Sequence, residues 1–593
     1  MKKTAAIFLA MIMGLSTCIT PVFAESKDPG FTEKTVPVLR DSLESSETAT
    51  LRYYEDLQNV PYMSVTDFYN QFYLVGTDIT EGMTFTNDGS EYTVTNFLGD
   101  SAKFDTSAET IIADNFEAFV SSAHFLEATQ AGGMDENYPF TKRETTYDPA
   151  EPTPLELKLT DYGIDLRGDE TGVYAPVATL CDLFASDETY YVVFTGKKLY
   201  TRDLSGALQN GAALLDDPDF QKDVMSDHAE DLADFTYREL CFNLDLWYGQ
   251  PGQELIHDDL KTAKIDDILT EKYPEIRQNL LSTHFNEYAT GMFHLFNGLL
   301  YDGGHTAIIS TVLNDPDLQQ EALKTYVDKD YAKKYIYDSV TKQEDKAARI
   351  AVQDAAYGGD YYMEQGDTAM IRTNSFAVKF DEWKAFYAGT GERPLEGDTV
   401  GTILSGLERA SQNPEIKNII IDMTCNGGGD DFALTSIEWL TRGLGYLRFD
   451  SRLTDRVKTK NAQFDMNFDS KFDENDVSPY TDYNFGVLTS NISFSCANAL
   501  PWFMHEHGAM ILGQKSGGGA CAVRLSSACG IEYANSAANS KIVTDSGESV
   551  DFGCPVDAEL TSDSENPYEN SYDIAKLSEL MNEYFADALD KAA

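Results

Sequence analysis

Asn484 to Val523 reads NFGVLTSNISFSCANALPWFMHEHGAMILGQKSGGGACAV. The apolar run Phe485 to Thr489 has the form of a buried strand, and a short polar turn after it holds Ser493 and Ser495. Ala497 to His505 is an apolar helix, Ala509 to Leu512 a second strand, and Gly517-Gly518-Gly519 a turn. A serine between a strand end and a helix start can expose its hydroxyl beside the unpaired N–H groups of the first helical turn, which suit a developing oxyanion. The same residue type at the same place is also an ordinary helix cap. The remaining parts of the chain decide between these readings.

A second strand–turn–helix lies upstream. Ile416 to Met423 (IKNIIIDM) is a continuous β-branched run, the mark of a strand buried on both faces, and is followed by Thr424-Cys425-Asn426-Gly427-Gly428-Gly429-Asp430 and the helix FALTSIEWLTRGLG. With the strand DTAMIRTNSF and the amphipathic helix TVGTILSGLERASQN before it, residues 363–593 read as an α/β domain whose strand ends share one site.

Residues 227–362 are helical by periodicity, interrupted at Leu300-Tyr301-Asp302-Gly303-Gly304-His305-Thr306, a glycine turn that presents a histidine. The first part mixes short strands and helices. Asn87-Asp88-Gly89 predicts a hairpin, and the proline-rich stretch TKRETTYDPAEPTPLELKL predicts a break near Ala150. Two small α+β modules, 25–150 and 151–226, are expected there. Lys2 and Lys3, the apolar run Ala5 to Leu15 and Val22-Phe23-Ala24 have the pattern of a signal peptide over residues 1–24, which predicts an exported protein, secreted or held at the cell surface or envelope.

Composition narrows the partners. The chain has 593 residues, 98 Asp plus Glu against 45 Lys plus Arg, and a net charge of −53. That field argues against nucleic acid or an anionic membrane as a partner. Seven cysteines follow residue 24, an odd number, and Cys521 and Cys529 could close a hairpin.

Ile421-Asp422-Met423-Thr424-x-Asn426-x-Gly428-Gly429, Ser493-Phe494-Ser495-Cys496-Ala497-Asn498, Gly513 to Gly519 and Gly553-Cys554-Pro555-Val556-Asp557 occur in an order and spacing that resemble one group. It is the superfamily of tail-specific (C-terminal processing) proteases, tricorn protease and interphotoreceptor retinoid-binding protein. The resemblance covers roughly residues 290–580 and implies a crotonase-like α/β catalytic domain of repeated strand–turn–helix units, preceded here by a helical segment and the two α+β modules. It implies Ser495 as nucleophile and Gly428 with the Cys496 amide as oxyanion donors. The processing-protease branch carries its lysine base where this chain has Gly519. The tricorn-like branch uses a histidine in a motif similar to Asp302-Gly303-Gly304-His305-Thr306, so the likeness is closer to that branch. Asp551, one residue out of register, is the nearest match to the orienting acid, with Glu548 behind it.

The chemistry is consistent with this without the family. A serine hydroxyl needs an adjacent base near neutrality. His305 titrates in the right range, and Lys515 is the alternative base, provided that a desolvated site lowers its pKa. The sequence therefore predicts an exported serine endopeptidase acting through an acyl-enzyme, with a peptide or protein substrate and no required cofactor. Two other readings remain. One is a binding protein on the same fold, its catalytic parts decayed, carrying a small apolar ligand or peptide. The other is a crotonase-type enzyme for an acyl thioester, which an export signal disfavours. Finally, Asp465, Asn467, Asp469, Lys471, Asp473 and Asp476 have the spacing of a calcium loop with Ser470 in place of its usual glycine; a solvated acidic loop is the other reading.

Overall fold

The computed structural model describes residues 30–592 apart from 41–46, 74–82, 88–90, 97–98, 117–118, 120–136, 187–189, 204–217 and 561–567. The leader expected at 1–24 lies outside the described residues. No helix among those described is long and apolar enough to cross a membrane.

The sheet that carries the site has six strands. In spatial order they are Tyr362–Gln365, Thr368–Arg372, Asn418–Asp422, Asn484–Thr489, Met510–Gly513 and Ala558–Glu559. The first pair is antiparallel and every later pair is parallel. Parallel neighbours need crossovers, and the helices Thr399–Ser411, Asp431–Arg442 and Cys496–Glu506 lie between them in the chain. Asn418–Asp422 is buried throughout. Its side chains alternate between two cores, as a period of two requires. Ile419 and Ile421 pack with Leu404, Leu434, Ile437 and Leu500 on one face. Ile420 packs on the other with Leu488, Met510, Leu577 and Met581, the last two from the terminal helix Ile574–Ala592. Burial on both faces is what the uninterrupted isoleucine run encodes, and each such side chain stabilises the fold by about 1.5–3 kcal/mol. Mixed α/β sheets are thus present as expected.

The N-terminal part is less divided than its proline-rich stretch suggests. One seven-stranded sheet joins Thr48–Tyr54 and Leu57–Ser64 to Gly172–Pro176, and Phe31–Leu39 to Leu199–Asp203, so strands from both sides of Ala150 belong to one body. The hairpin read around Asn87 is formed, with Thr84–Asn87 antiparallel to Glu91–Thr95. Thr141–Asp148 leaves this body altogether. It pairs along its whole length with Arg456–Phe464, inside the sheet that also holds Gly445–Ser451 and Ile531–Ile542. The N-terminal chain is therefore woven into the peptidase-like part.

The hairpin that Cys521 and Cys529 could have closed carries no disulfide. Among the described residues, Cys181, Cys241, Cys425, Cys496, Cys521, Cys529 and Cys554 form no disulfide. Cys521 opens the strand Cys521–Ala528 and Cys529 follows its end, so the pair is separated by about 26 Å of extended chain at ~3.3 Å per residue, far beyond disulfide reach.

Candidate active site

Ser495 is the N-cap of the helix Cys496–Glu506 and has φ 55° and ψ −126°, with no capping bond from its side chain. A positive φ at a serine is strained, and here the surroundings hold it. The Ser495 N–H donates to the Gly518 carbonyl at 2.9 Å, and the amides of Asn498 and Ala499 donate to the Ser495 carbonyl. Asn498 Nδ2 donates to the Val550 carbonyl at 2.9 Å, and Ser516 Oγ donates to Asn498 Oδ1 at 2.7 Å, tying the helix to the two loops behind it. The other serine of the pair has a structural task. Ser493 Oγ donates to the Met423 carbonyl at 2.7 Å and accepts the Ser490 amide at 3.0 Å. The half-buried Ser495 is the one left with its hydroxyl uncommitted to the turn.

Gly428 makes the second wall. Its φ is +99°, and a Cβ there would lie 2.6 Å from both the Phe494 carbonyl oxygen and Ser495 Cβ, and 3.2 Å from the Cys496 nitrogen. Only glycine permits this approach. In this structure the Gly428 amide donates to Asn426 Oδ1 at 2.8 Å, so its capacity as an oxyanion donor is shared with its own turn. Asn426 is in turn fixed by the Thr373 carbonyl.

His305 is brought to the same turn from nearly two hundred residues upstream. Its ring centroid lies 4.8 Å from that of Phe494, the residue before Ser495. A Cβ on Gly303 or Gly304 would lie 3.4 Å from the Phe494 ring. The loop is anchored by Asp302. Its Oδ1 accepts the amides of Gly304, His305 and Thr306 at 3.3, 3.0 and 2.9 Å, and its Oδ2 accepts the hydroxyls of Thr306 and Ser536 at 2.6 Å each. Burial holds the His305 imidazole below its ordinary pKa, opposed by the Asp302 charge, so the neutral form that a general base needs is favoured. Among the described residues no hydrogen bond joins His305 to Ser495, and His305 Nδ1 is buried without a partner.

Asp551 is buried, with Oδ1 accepting the Ala520 amide at 3.1 Å and Oδ2 lacking a partner among the described residues. Burial first, and the Asp302 charge second, push its carboxyl up to about 7. The carboxylate acting on His305 is Asp302, three residues before it, to which the sequence reading gave no role. Gln253 was also missed. Its Nε2 donates to the Asp551 carbonyl at 2.7 Å, and nothing in YGQPGQELIH signals this. Glu548 and Lys515 are exposed. Lys515 therefore lacks the desolvation that would suit it to base catalysis. His505 faces Asp557 at 3.2 Å, and His507 contacts the Phe503 carbonyl.

The acidic loop is closed by its own backbone amides. Asp465 Oδ1 and Oδ2 accept the amides of Asp469 and Ser470, and Asp476 Oδ1 and Oδ2 those of Met466 and Asp473. These four carboxylate oxygens serve the loop itself, and among the described residues no group of three or more His, Cys, Asp or Glu is placed to hold a metal ion.

No curated protein matches the chain. Among solved structures, the photosystem II D1 C-terminal processing protease is 16% identical over 32% of this chain and 42% of its own, with a TM-score of 0.24. A candidate peptidase from Parabacteroides merdae is 16% identical over 57% and 93%, with a TM-score of 0.34. The tricorn protease is 11% identical over 91% and 43%, with a TM-score of 0.23. The chain thus spans under half the length of the first and third of these, and the assignment rests on the family match. That match is to the model of peptidase family S41 over residues 367–559, the stretch that contains Gly428, Ser495 and Asp551. Residues 367–559 are thus similar to peptidase family S41.

Proposed function

We propose that the chain is an exported serine endopeptidase that cleaves a peptide or protein substrate through an acyl-enzyme on Ser495. The observation that carries this reading is the meeting of three loops at one strained serine: the His305 turn, the Ser495 turn and the Gly428 turn. Ser495 Oγ attacks the scissile carbonyl carbon while His305 takes its proton. The carbonyl π electrons move to oxygen, and the resulting oxyanion is stabilised by the Gly428 and Cys496 amides. His305 then protonates the leaving amine, and water repeats the sequence to release the acid. Asp302 positions the histidine loop through its backbone amides. Asp551, whose Oδ2 and the His305 Nδ1 are two buried atoms lacking partners among the described residues, is the acid assigned to orient the ring once substrate closes the site.

A fluorophosphonate probe tests this directly. Ser495→Ala removes labelling, His305→Ala lowers the labelling rate and peptide turnover by about 10³-fold or more, and Lys515→Ala changes neither. Labelling that survives Ser495→Ala rejects the assignment. A wild-type chain that never labels favours the alternative of a binding protein with decayed catalytic parts.

A further inference from the structure

Three lysines from one helical stretch overhang the three loops of the site. The stretch runs Lys333–Ile336, through a π turn at Tyr337–Thr341, into the helix Lys342–Tyr357. Lys334 Nζ lies 3.0 Å from where a Cβ on Gly303 would be, beside the His305 turn. Lys342 Nζ lies 5.5 Å from the ring centroid of Phe494, against the Ser495 turn. Lys346 Nζ lies 3.9 Å from a Cβ built on Gly427, in the glycine turn of Gly428. All three are half-buried. The π turn is an interruption of a kind common at functional sites.

The charges there are balanced by the protein only in part. Lys334 pairs with Asp338 at 3.2 Å, and Arg349, further along, is taken up by Asp345 and Gln514. Among the described residues Lys342 and Lys346 have no ion pair. Burial lowers the pKa of Lys342; the Asp338 charge opposes this, and the charges of Lys334 and Lys346 add to it. The chain holds over twice as many acidic as basic residues, so carboxylates that could have neutralised this group are abundant elsewhere. Helix packing does not need ammonium groups facing glycine turns. A half-desolvated lysine without a carboxylate costs stability, and an incoming anion removes that cost. The position is beside the turns that hold Ser495 and Gly428.

Resting on the peptidase reading above, we propose that Lys342 and Lys346, assisted by Lys334, form a subsite for an acidic side chain of the substrate, so that the enzyme prefers Asp or Glu at one fixed position near the cleaved bond. The carboxylate is recognised by charge and partial desolvation, which favours it over the isosteric amide.

The test uses the full chain and a defined mixture of short synthetic peptides, supplied with free and with amidated C-termini, the cleavage sites being read by mass spectrometry. Asp and Glu are expected to be enriched at one position from the scissile bond in both sets. Glu→Gln at that position in the best single peptide lowers kcat/KM by about tenfold or more, and added salt narrows the difference. In the double variant Lys342→Met, Lys346→Met the Glu-to-Gln ratio falls towards one, while Lys342→Arg keeps it. Absence of acidic enrichment in an enzyme that labels at Ser495 overturns the proposal. Enrichment that vanishes on amidation also overturns it, because the chain terminus is then the group read. So does enrichment that survives the double lysine substitution. A wild-type chain that neither labels nor cleaves fails at the peptidase reading instead, and takes the subsite with it.

Discussion

Ser495 at φ 55° and ψ −126° stands at the point where local preference and tertiary demand disagree most. A serine in that conformation costs of order 1–3 kcal/mol, and persists because the Gly518 carbonyl and the following helix hold it. The pH dependence belongs to the two titrating groups behind it. In the proposed mechanism His305 must be neutral, and burial favours that form by holding its pKa below the ordinary imidazole value. In the same mechanism Asp551, pushed up to about 7, must lose its proton to act on the ring. Activity should therefore rise with pH through about 7 in the wild-type protein. Asp551→Asn should lower kcat/KM and move the remaining acid limb below the ordinary imidazole value, where His305 alone sets it. An acid limb that stays put on this substitution removes Asp551 from the pathway and leaves Asp302 as the only carboxylate acting on His305.

The strand–turn–helix units show which local features act at the level of an element. Both turns depend on close backbone approach, and at Gly428 an added Cβ would meet Ser495 itself. Gly428→Ala places a Cβ 2.6 Å from the Phe494 carbonyl and from Ser495 Cβ at a φ of +99°. The turn must shift, and the loss expected is about 10²-fold or more in kcat, as for removal of one oxyanion donor. The strands on either side are fixed by their own burial, so the far-ultraviolet circular dichroism should be unchanged. A variant of unaltered activity would show that the Gly428 wall is not used. These units were legible beforehand because Ile419 to Ile421 and Phe485 to Leu488 are continuous apolar runs ended by glycine or polar turns. The anchoring of the histidine loop was not legible. Asp302 stands in the quoted motif, but its bond to Ser536 spans 234 residues, and no spacing rule reports that.

At the scale of the molecule, the stretch that matches the S41 model is interwoven with what precedes it. His305 comes from the helical segment, the lysines from the helix after it, and Thr141–Asp148 adds a strand to Arg456–Phe464. Phe140, at the entry to that strand, is fully buried against Trp383 and Phe464. A chain cut to residues 363–593 should therefore expose the edge of Arg456–Phe464, aggregate, and fail to react with a fluorophosphonate. The same cut read from the sequence looks like a clean domain boundary. A shortened chain that is monomeric and labels at the full rate would refute the interweaving.

The sequence alone determined the elements whose cause is local. Periodic burial marks the parallel strands, glycine clusters mark their turns, and a hydroxyl residue at a strand-to-helix junction marks the candidate nucleophile. Only the tertiary structure decided what is non-local: that His305 packs on Phe494, that Asp302 and Gln253 brace the loops, that Cys521 and Cys529 stay apart, and that Lys342 and Lys346 face the site. The physical reason is that burial and turn geometry act between near neighbours in the chain, whereas ring packing, desolvation and charge act through space, between residues whose separation in sequence carries no signal.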